Sequence, residues 1–274
     1  MKNKLKKLLS FLPHGSKTPV YARITCLEPS NKLMGKKIVV TGGGSGLGYA
    51  MAKRFAEEGA EVLISGRNME KLSKSASEIG CKYLQLDILD TSAIDSFLVK
   101  ADNLLGGMNC LVNNAGISLH EKSFFDVTEE SFRSQVDTNL TGTFFLTQHF
   151  AKHLLNKQVG GNILIISSET GITSDIRPYG YTKAALNSMV EGAAYMFAKQ
   201  DIRINAIAPG ITASRMTGKD PNGDISSKKE MLGRVYLPEE VAEIAAFLLS
   251  DASSCLTGQI LVCNNGKTIN ARVK

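Results

Sequence analysis

From residue 36 onward, short runs rich in Ile and Val, mostly apolar at successive positions, alternate with longer stretches in which apolar residues recur every three to four positions. The runs fall at 38–41, 62–65, 83–87, 110–113, 162–167, 202–208 and 259–263. A strand with one wet face would alternate apolar and polar residues, so these runs predict strands covered on both faces. The periodic stretches predict helices over 46–58, 69–79, 91–105, 128–155, 179–197 and 238–249. Strand and helix in strict alternation imply parallel strands joined by crossover helices. The expected fold is therefore α/β: a doubly wound, seven-stranded parallel sheet with helices on both faces.

Two segments stand outside this alternation. Residues 1–34 start basic and amphipathic and continue Pro-rich and irregular. They read as an N-terminal extension packed on the domain or on a neighbouring subunit, with a membrane-surface helix as the alternative. Residues 212–234, rich in Gly, Ser, Lys and Asp between the sixth strand and the last helix, read as a mobile lid. A chain of 274 residues with 43% apolar content can bury a large core, and residues 35–274 are taken as one domain. The net charge is +6, but Lys2, Lys4, Lys6 and Lys7 carry much of the excess. With no zinc-finger spacing, basic heptads or aromatic platform, a nucleic-acid partner is not expected. Cys26, Cys81, Cys110, Cys255 and Cys263 are odd in number and form no CxxC pair, which argues against a disulfide framework or a metal site and for a reducing, cytoplasmic setting. The apolar stretch 8–12 is broken by Pro13, His14 and Gly15, so no export signal is expected. No apolar run approaches the ~18 residues of a membrane span.

The first strand runs directly into Thr41-Gly42-Gly43-Gly44-Ser45-Gly46-Leu47-Gly48 and then into a helix. Gly42 permits a tight turn, Gly46 lets backbone approach a pyrophosphate, and Gly48 lets the helix pack closely, while Gly44, Ser45 and Leu47 complete the loop. The helix N-terminus offers N–H groups and partial positive charge to phosphates, so a dinucleotide is the expected cofactor. The second strand ends in Ser65-Gly66-Arg67-Asn68, with no acid to accept from a ribose 2′-hydroxyl. Arg67 is placed to pair with a 2′-phosphate, helped by Ser65 or Asn68, which favours NADP(H) and leaves NAD(H) as the alternative. After the third strand, Asp87 and Ile88 are candidates to bracket the adenine ring; a helix cap upstream of Thr91 is the other reading of Asp87.

Tyr179 and Lys183 lie four apart at the start of a predicted helix, so both project from one face. A nearby ammonium favours a phenolate, and a tyrosine tuned in this way can give a proton to a carbonyl oxygen or take one from an alcohol. Tyr181, two residues from Lys183, points elsewhere. The ordered set Thr41-Gly42-x-x-x-Gly46-x-Gly48, Asn113-Asn114-Ala115-Gly116, Asn139, Ser167-Ser168-x-x-Gly171, Tyr179-x-x-x-Lys183 and Pro209-Gly210 resembles the single-domain short-chain dehydrogenase/reductases, whose fold is Rossmann-type, over about residues 35–266. Within that family it is similar to 3-oxoacyl-(acyl-carrier-protein) reductase-like members.

The resemblance implies that Tyr179 is the acid/base, that Lys183 lowers its pKa and holds the nicotinamide ribose, that Asn139 anchors a water of a proton relay, and that Ser168 hydrogen-bonds the substrate oxygen. Asn114, Ala115 and Gly116 would line the cofactor, and Pro209, Gly210, Ile211 and Thr212 would wrap the nicotinamide, with the Ile211 backbone at its carboxamide and Thr212 or Ser214 supplying a hydroxyl. The implied activity is NADP(H)-dependent reduction of a ketone or 3-oxo group on a small molecule. The alternatives are an alcohol or sugar dehydrogenase working oxidatively and, from another class, a catalytically silent cofactor sensor or scaffold. Helices 128–155 and 179–197 would pair subunits into a homodimer or homotetramer. Three departures stand out. The gap from Ser168 to Tyr179 is short, which keeps Ser167 as a second candidate for the same role. Cys263-Asn264-Asn265-Gly266 replaces the usual acid and two glycines, which puts the C-terminal subunit contacts in question. The N-terminal extension has no counterpart in the minimal domain.

Overall fold

Seven parallel strands form one sheet in the computed structural model, which describes residues 19–22 and 29–269. The strands are β1 (Lys37–Thr41), β2 (Glu61–Gly66), β3 (Lys82–Gln85), β4 (Cys110–Asn113), β5 (Gly161–Ile166), β6 (Ile202–Pro209) and β7 (Ile260–Cys263), in the spatial order β3-β2-β1-β4-β5-β6-β7. Ile38 pairs with Val62 on one side and Cys110 on the other, so β1 sits between β2 and β4. Strand order reverses there, and the loops leaving β1 and β4 part to open a crevice at the carboxyl edge.

Successive strand residues feed two separate cores. Val39, Leu63, Leu111, Ile163 and Ile165 pack with α3 (Ile94–Leu105), α5 (Gly142–Lys157) and α6 (Pro178–Phe197), including Phe97, Phe150, Leu186 and Val190. Ile38, Val40, Ile64, Val112 and Leu164 pack with α1 (Gly46–Glu57), α2 (Met69–Ile79) and α7 (Pro238–Leu249), including Met51, Phe55, Leu72 and Val241. Both faces of the inner strands β1, β2, β4, β5 and β6 are covered, which is why these strands show no polar alternation, whereas the edge strands β3 and β7 are partly exposed.

Two predicted helices are subdivided. The stretch 91–105 begins with a 3₁₀ turn, Thr91–Ala93, capped by the Asp90 side chain, which accepts from Ser92 N at 3.2 Å. The stretch 128–155 is three pieces: α4 (Glu129–Val136), a π-helical segment Asp137–Thr141, and α5. A Cβ on Gly142 would stand 2.5 Å from the Ile88 carbonyl oxygen, so the helix passes the loop after β3 with no room for a side chain.

Ordered packing begins before residue 35. Leu33 is fully buried in the second core, and Glu58, itself buried, accepts from the N–H groups of Ser30 and Lys32 and pairs with Lys32 Nζ at 3.0 Å. Residues 19–22 lie on the lid: Val20 N donates to Asp224 Oδ1, Ile225 N donates to Val20 O, both at 3.0 Å, and Ala22 packs with Ala213, Ile225, Val235 and Leu237. The lid itself has internal order. Thr212 bridges Tyr236, Ser226 bridges Arg234, and Arg234 grips Glu240 through two bonds of 2.8 and 2.7 Å. The basic start and the readings placed on residues 1–18 and 23–28 fall outside the described residues. Among the described residues, no helix is long and apolar enough to cross a membrane.

Candidate active site

The glycine loop and the β4 loop are bolted together at the crevice. Thr41 Oγ1 accepts from Asn114 N at 3.0 Å and Ala115 N at 3.1 Å, while Asn114 Nδ2 donates to Thr41 O at 2.9 Å. Gly42 holds φ +66°, and a Cβ on Gly48 would stand 2.4 Å from the Gly42 carbonyl oxygen, so α1 can approach the turn only without a side chain there. At Gly46 (φ +56°) the nearest obstacle to a Cβ is the Ser214 side chain at 3.7 Å, leaving its outer side open to a ligand. The α1 N-terminus carries no side-chain cap at Ser45 and no acid in its first turn. Uncapped N–H groups beside an open glycine suit a phosphate anion.

These elements form one end of a cleft of about 720 Å³, which Ser168, Tyr179 and Lys183 line at the other end. α6 begins at Pro178, whose fixed φ suits the first turn of a helix, so Tyr179 and Lys183 occupy adjacent turns. The Lys183 Nζ lies 5.5 Å from the Tyr179 ring centroid and donates to Ile166 O at 2.7 Å. Ser168 receives bonds from Thr170 N at 3.2 Å and Thr170 Oγ1 at 3.0 Å, which turns its own proton toward the Tyr179 phenol it hydrogen-bonds. Ser167 is turned the other way, with its hydroxyl on Asn187 Oδ1 at 2.7 Å. Tyr181 is exposed on another face of the helix.

Asn139 is fully buried in the π-helical segment, a type of insertion that recurs at functional sites. Its amide brackets Ile117, accepting from Ile117 N at 2.8 Å and donating to Ile117 O at 2.9 Å, and also reaches Thr182 Oγ1 at 3.3 Å. A Cβ on Gly116 would stand 3.1 Å from Asn139 Oδ1 and 3.8 Å from Lys183 Nζ, so the absent side chain opens the space between these two groups.

Burial governs the electrostatics. It raises the Tyr179 phenol above its ordinary value, with the Ser168 hydroxyl and the Arg177 guanidinium pulling the other way. Burial also pushes the Lys183 ammonium down to about 8. Desolvation is the largest influence on the Tyr179 phenol, and the Lys183 ammonium is engaged by the Ile166 carbonyl.

Other candidate residues are distributed differently. Ala115, Pro209, Gly210, Ile211, Thr212 and Ser214 line the cleft. The Thr212 hydroxyl is turned onto Gly210 O at 3.1 Å. Gly44 instead faces α2, where a Cβ would meet Leu72 at 3.5 Å. Arg67 is exposed at the end of β2, and Asn68 caps α2 by accepting from Lys71 N at 2.9 Å. Ser65 is fully buried, with its hydroxyl lacking a partner among the described residues. Asp87 is exposed, and Ile88 is buried in the first core rather than in the cleft wall. The sequence reading missed His120, Glu169 and Lys267, all in the lining; Arg177, also there, lies in the stretch 170–178 expected to line the substrate pocket. His120 holds φ +55°, and its Nε2 donates to Met216 O at 2.8 Å, joining the β4 loop to the lid.

A family model described as enoyl-(acyl carrier protein) reductase matches residues 42–268. The chain belongs to the short-chain dehydrogenase/reductase family. It is 35% identical to the 3-oxoacyl-(acyl-carrier-protein) reductase FabG of Aquifex aeolicus, over 86% of this chain and 98% of that protein. It is 32% identical to an NADP-dependent (R)-specific alcohol dehydrogenase of Lentilactobacillus kefiri, over 87% and 99%. Among solved structures, a short-chain type dehydrogenase/reductase from Mycobacterium marinum superposes with TM-score 0.80 at 31% identity, covering 87% of this chain and 98% of that one. As a member of this family, the protein is an oxidoreductase acting on CH–OH or C=O groups with a nicotinamide dinucleotide.

Proposed function

We propose that the protein is an NADP(H)-dependent reductase that converts a ketone or 3-oxo group of a small molecule to a secondary alcohol, with Tyr179 as the general acid. The observation that carries this reading is the Ser168–Tyr179–Lys183 cluster, set in one cleft with the uncapped α1 N-terminus. A phenol raised above its ordinary value holds its proton at neutral pH, the state needed to protonate a carbonyl oxygen as it gains negative charge. Ser168 directs its hydroxyl to the same point and orients that oxygen. When bound, the dihydronicotinamide supplies the hydride to the carbonyl carbon. Lys183 and Asn139, on either side of the space left by Gly116, return a proton to Tyr179 from solvent.

For the cofactor, Gly42, Gly46, Gly48, Asn114 and Gly116 form the cradle, and Arg67 takes the 2′-phosphate. Arg67 supports NADP(H) because it is exposed at the end of β2, in a stretch, 65–68, that carries no acid. The exposed Phe144, Phe145 and Leu155 of α5 and Tyr195 and Met196 of α6 support a homodimer or homotetramer built through these helices. The free thiols of Cys81, Cys110, Cys255 and Cys263 support a cytoplasmic setting. Following NADPH absorbance over a panel of ketones, 3-oxoacyl thioesters and keto-sugars tests the reading. Consumption dependent on one of these classes is expected; turnover confined to alcohols with NADP⁺, at any pH, would reverse the assigned direction.

A further inference from the structure

Three stretches distant in sequence meet beside Ser168: the turn after β5 at Glu169, the lid at Glu230, and the tail after β7 at Asn264 and Lys267. Lys267 Nζ lies 2.6 Å from Glu169 Oε1 and 2.8 Å from Glu230 Oε1. The Glu230 side chain is 0% exposed and that of Glu169 10%. Asn264 Nδ2 donates to the second Glu169 oxygen at 3.1 Å. Glu230 Oε2 is buried without a partner and stands 3.2 Å from the point a Cβ on Gly210 would take, while the Tyr236 ring lies 2.6 Å from that same point. Among the described residues, Tyr236 is the other titratable group facing this cluster, and there the two carboxylates share the Lys267 ammonium.

Proton transfer at Tyr179 uses none of these groups. We infer that Lys267 is a positioning residue that clamps the lid and the C-terminal tail onto the Ser168 turn by bridging Glu169 and Glu230. Both carboxylates lie within hydrogen-bond reach of a single nitrogen, and without it two buried like charges face each other at short range. Moving the lid away relieves that repulsion. Glu169 follows Ser168 directly, and Ser168 caps the 3₁₀ turn Glu169–Gly171, so movement of Glu169 carries the Ser168 hydroxyl off the phenol. Lys267 and Glu169 both line the cleft, and a shift there also alters the wall at Gly210. The catalytic consequence rests on Ser168 and Tyr179 being the reacting pair; the mechanical one does not.

The test uses the full chain with Lys267→Met, Lys267→Arg and Lys267→Met/Glu230→Gln, read by hydrogen–deuterium exchange over residues 224–236 and by steady-state kinetics. Lys267→Met is expected to speed exchange in the lid, to raise KM for the carbonyl substrate, and to lower kcat/KM by about tenfold or more. Lys267→Arg keeps the bridge and stays near wild type. The double variant recovers most of the exchange protection and activity, because the new amide donates to Glu169 and the repulsion is gone. If Lys267→Met does not fold, Lys267→Gln serves as the milder probe, with a smaller effect of the same sign. Wild-type exchange and kinetics in Lys267→Met, or a defect that the double variant leaves untouched, would overturn the proposal. Full turnover in Tyr179→Phe would instead remove the reaction reading and leave the exchange result standing.

Discussion

Replacing Lys183 with Met is expected to stabilise the protein most at neutral pH while removing its chemistry. Lys183 is 5% exposed, and its ammonium donates to Ile166 O at 2.7 Å. Burial moves its ammonium from 10.5 to about 8. A depression of that size means that holding the charge inside costs about 3 kcal/mol wherever both folded and unfolded chains are protonated. Met has similar length and no charge, so it removes that cost. Against the gain, the Ile166 carbonyl loses a donor, a penalty of about 1–3 kcal/mol. The two effects separate by their pH dependence. Above pH 8 the native lysine releases its proton while the unfolded one keeps it up to 10.5, so wild-type stability rises with pH across that window. The stability of the Met variant relative to wild type should fall by up to about 3 kcal/mol between pH 7 and pH 10.5. Urea melts of both proteins at several pH values measure this directly. A difference between them that does not vary with pH would refute the argument.

Arg67→Ala should weaken NADPH binding by about ten- to a hundredfold, the worth of a charge-assisted contact, and leave NADH nearly unchanged in fluorescence titrations; equal losses would sink the 2′-phosphate assignment. Burial works to raise the Glu58 carboxyl, yet Lys32, the N–H groups of Ser30 and Lys32, and Arg54 hold it below the usual carboxylate range. Its contribution is present at neutral pH and lost as pH falls through that depressed value. Glu58→Gln should therefore cost about 3 kcal/mol at pH 7 and flatten the acid limb of stability against pH; an unchanged acid limb counts against the assignment. Val20→Pro deletes the N–H that Val20 gives Asp224 and should make the 224–226 turn more sensitive to limited proteolysis, with far-ultraviolet circular dichroism unaltered. Cleavage at the wild-type rate would show that residues 19–22 do not hold the lid.

Features encoded locally were legible in the sequence. The inner strands are apolar on both faces because both are covered, so their parallel sense follows from the pattern around residues such as Ile38, Val39 and Val40, while the edge strands β3 and β7 are partly exposed. The glycine loop and the Tyr179/Lys183 spacing were legible for the same reason, since a turn or one helix face places them. The break at Asn139 was not. A π-helical insertion leaves the apolar spacing of 128–155 almost unchanged, and its cause lies elsewhere, in the Ile117 backbone that the Asn139 amide brackets and the Ile88 carbonyl that Gly142 must pass. β3 ends at Gln85, earlier than the pattern suggested, which leaves Asp87 in solvent and Ile88 in the core. The choice between Ser167 and Ser168 also needed three dimensions, because Asn187 on α6 takes the Ser167 hydroxyl. Glu169, Glu230 and Lys267 carry no readable spacing. They meet only because the lid and the tail both fold back over the end of β5.

The most direct test of the central claim is the turnover of Tyr179→Phe with NADPH and a reducible ketone. The variant keeps the ring and loses only the proton-bearing oxygen. NADPH binding should stay within a few-fold of wild type while kcat falls by about a hundredfold or more, the usual share of a general acid. A variant that turns over at the wild-type rate would show that Tyr179 is not the proton donor.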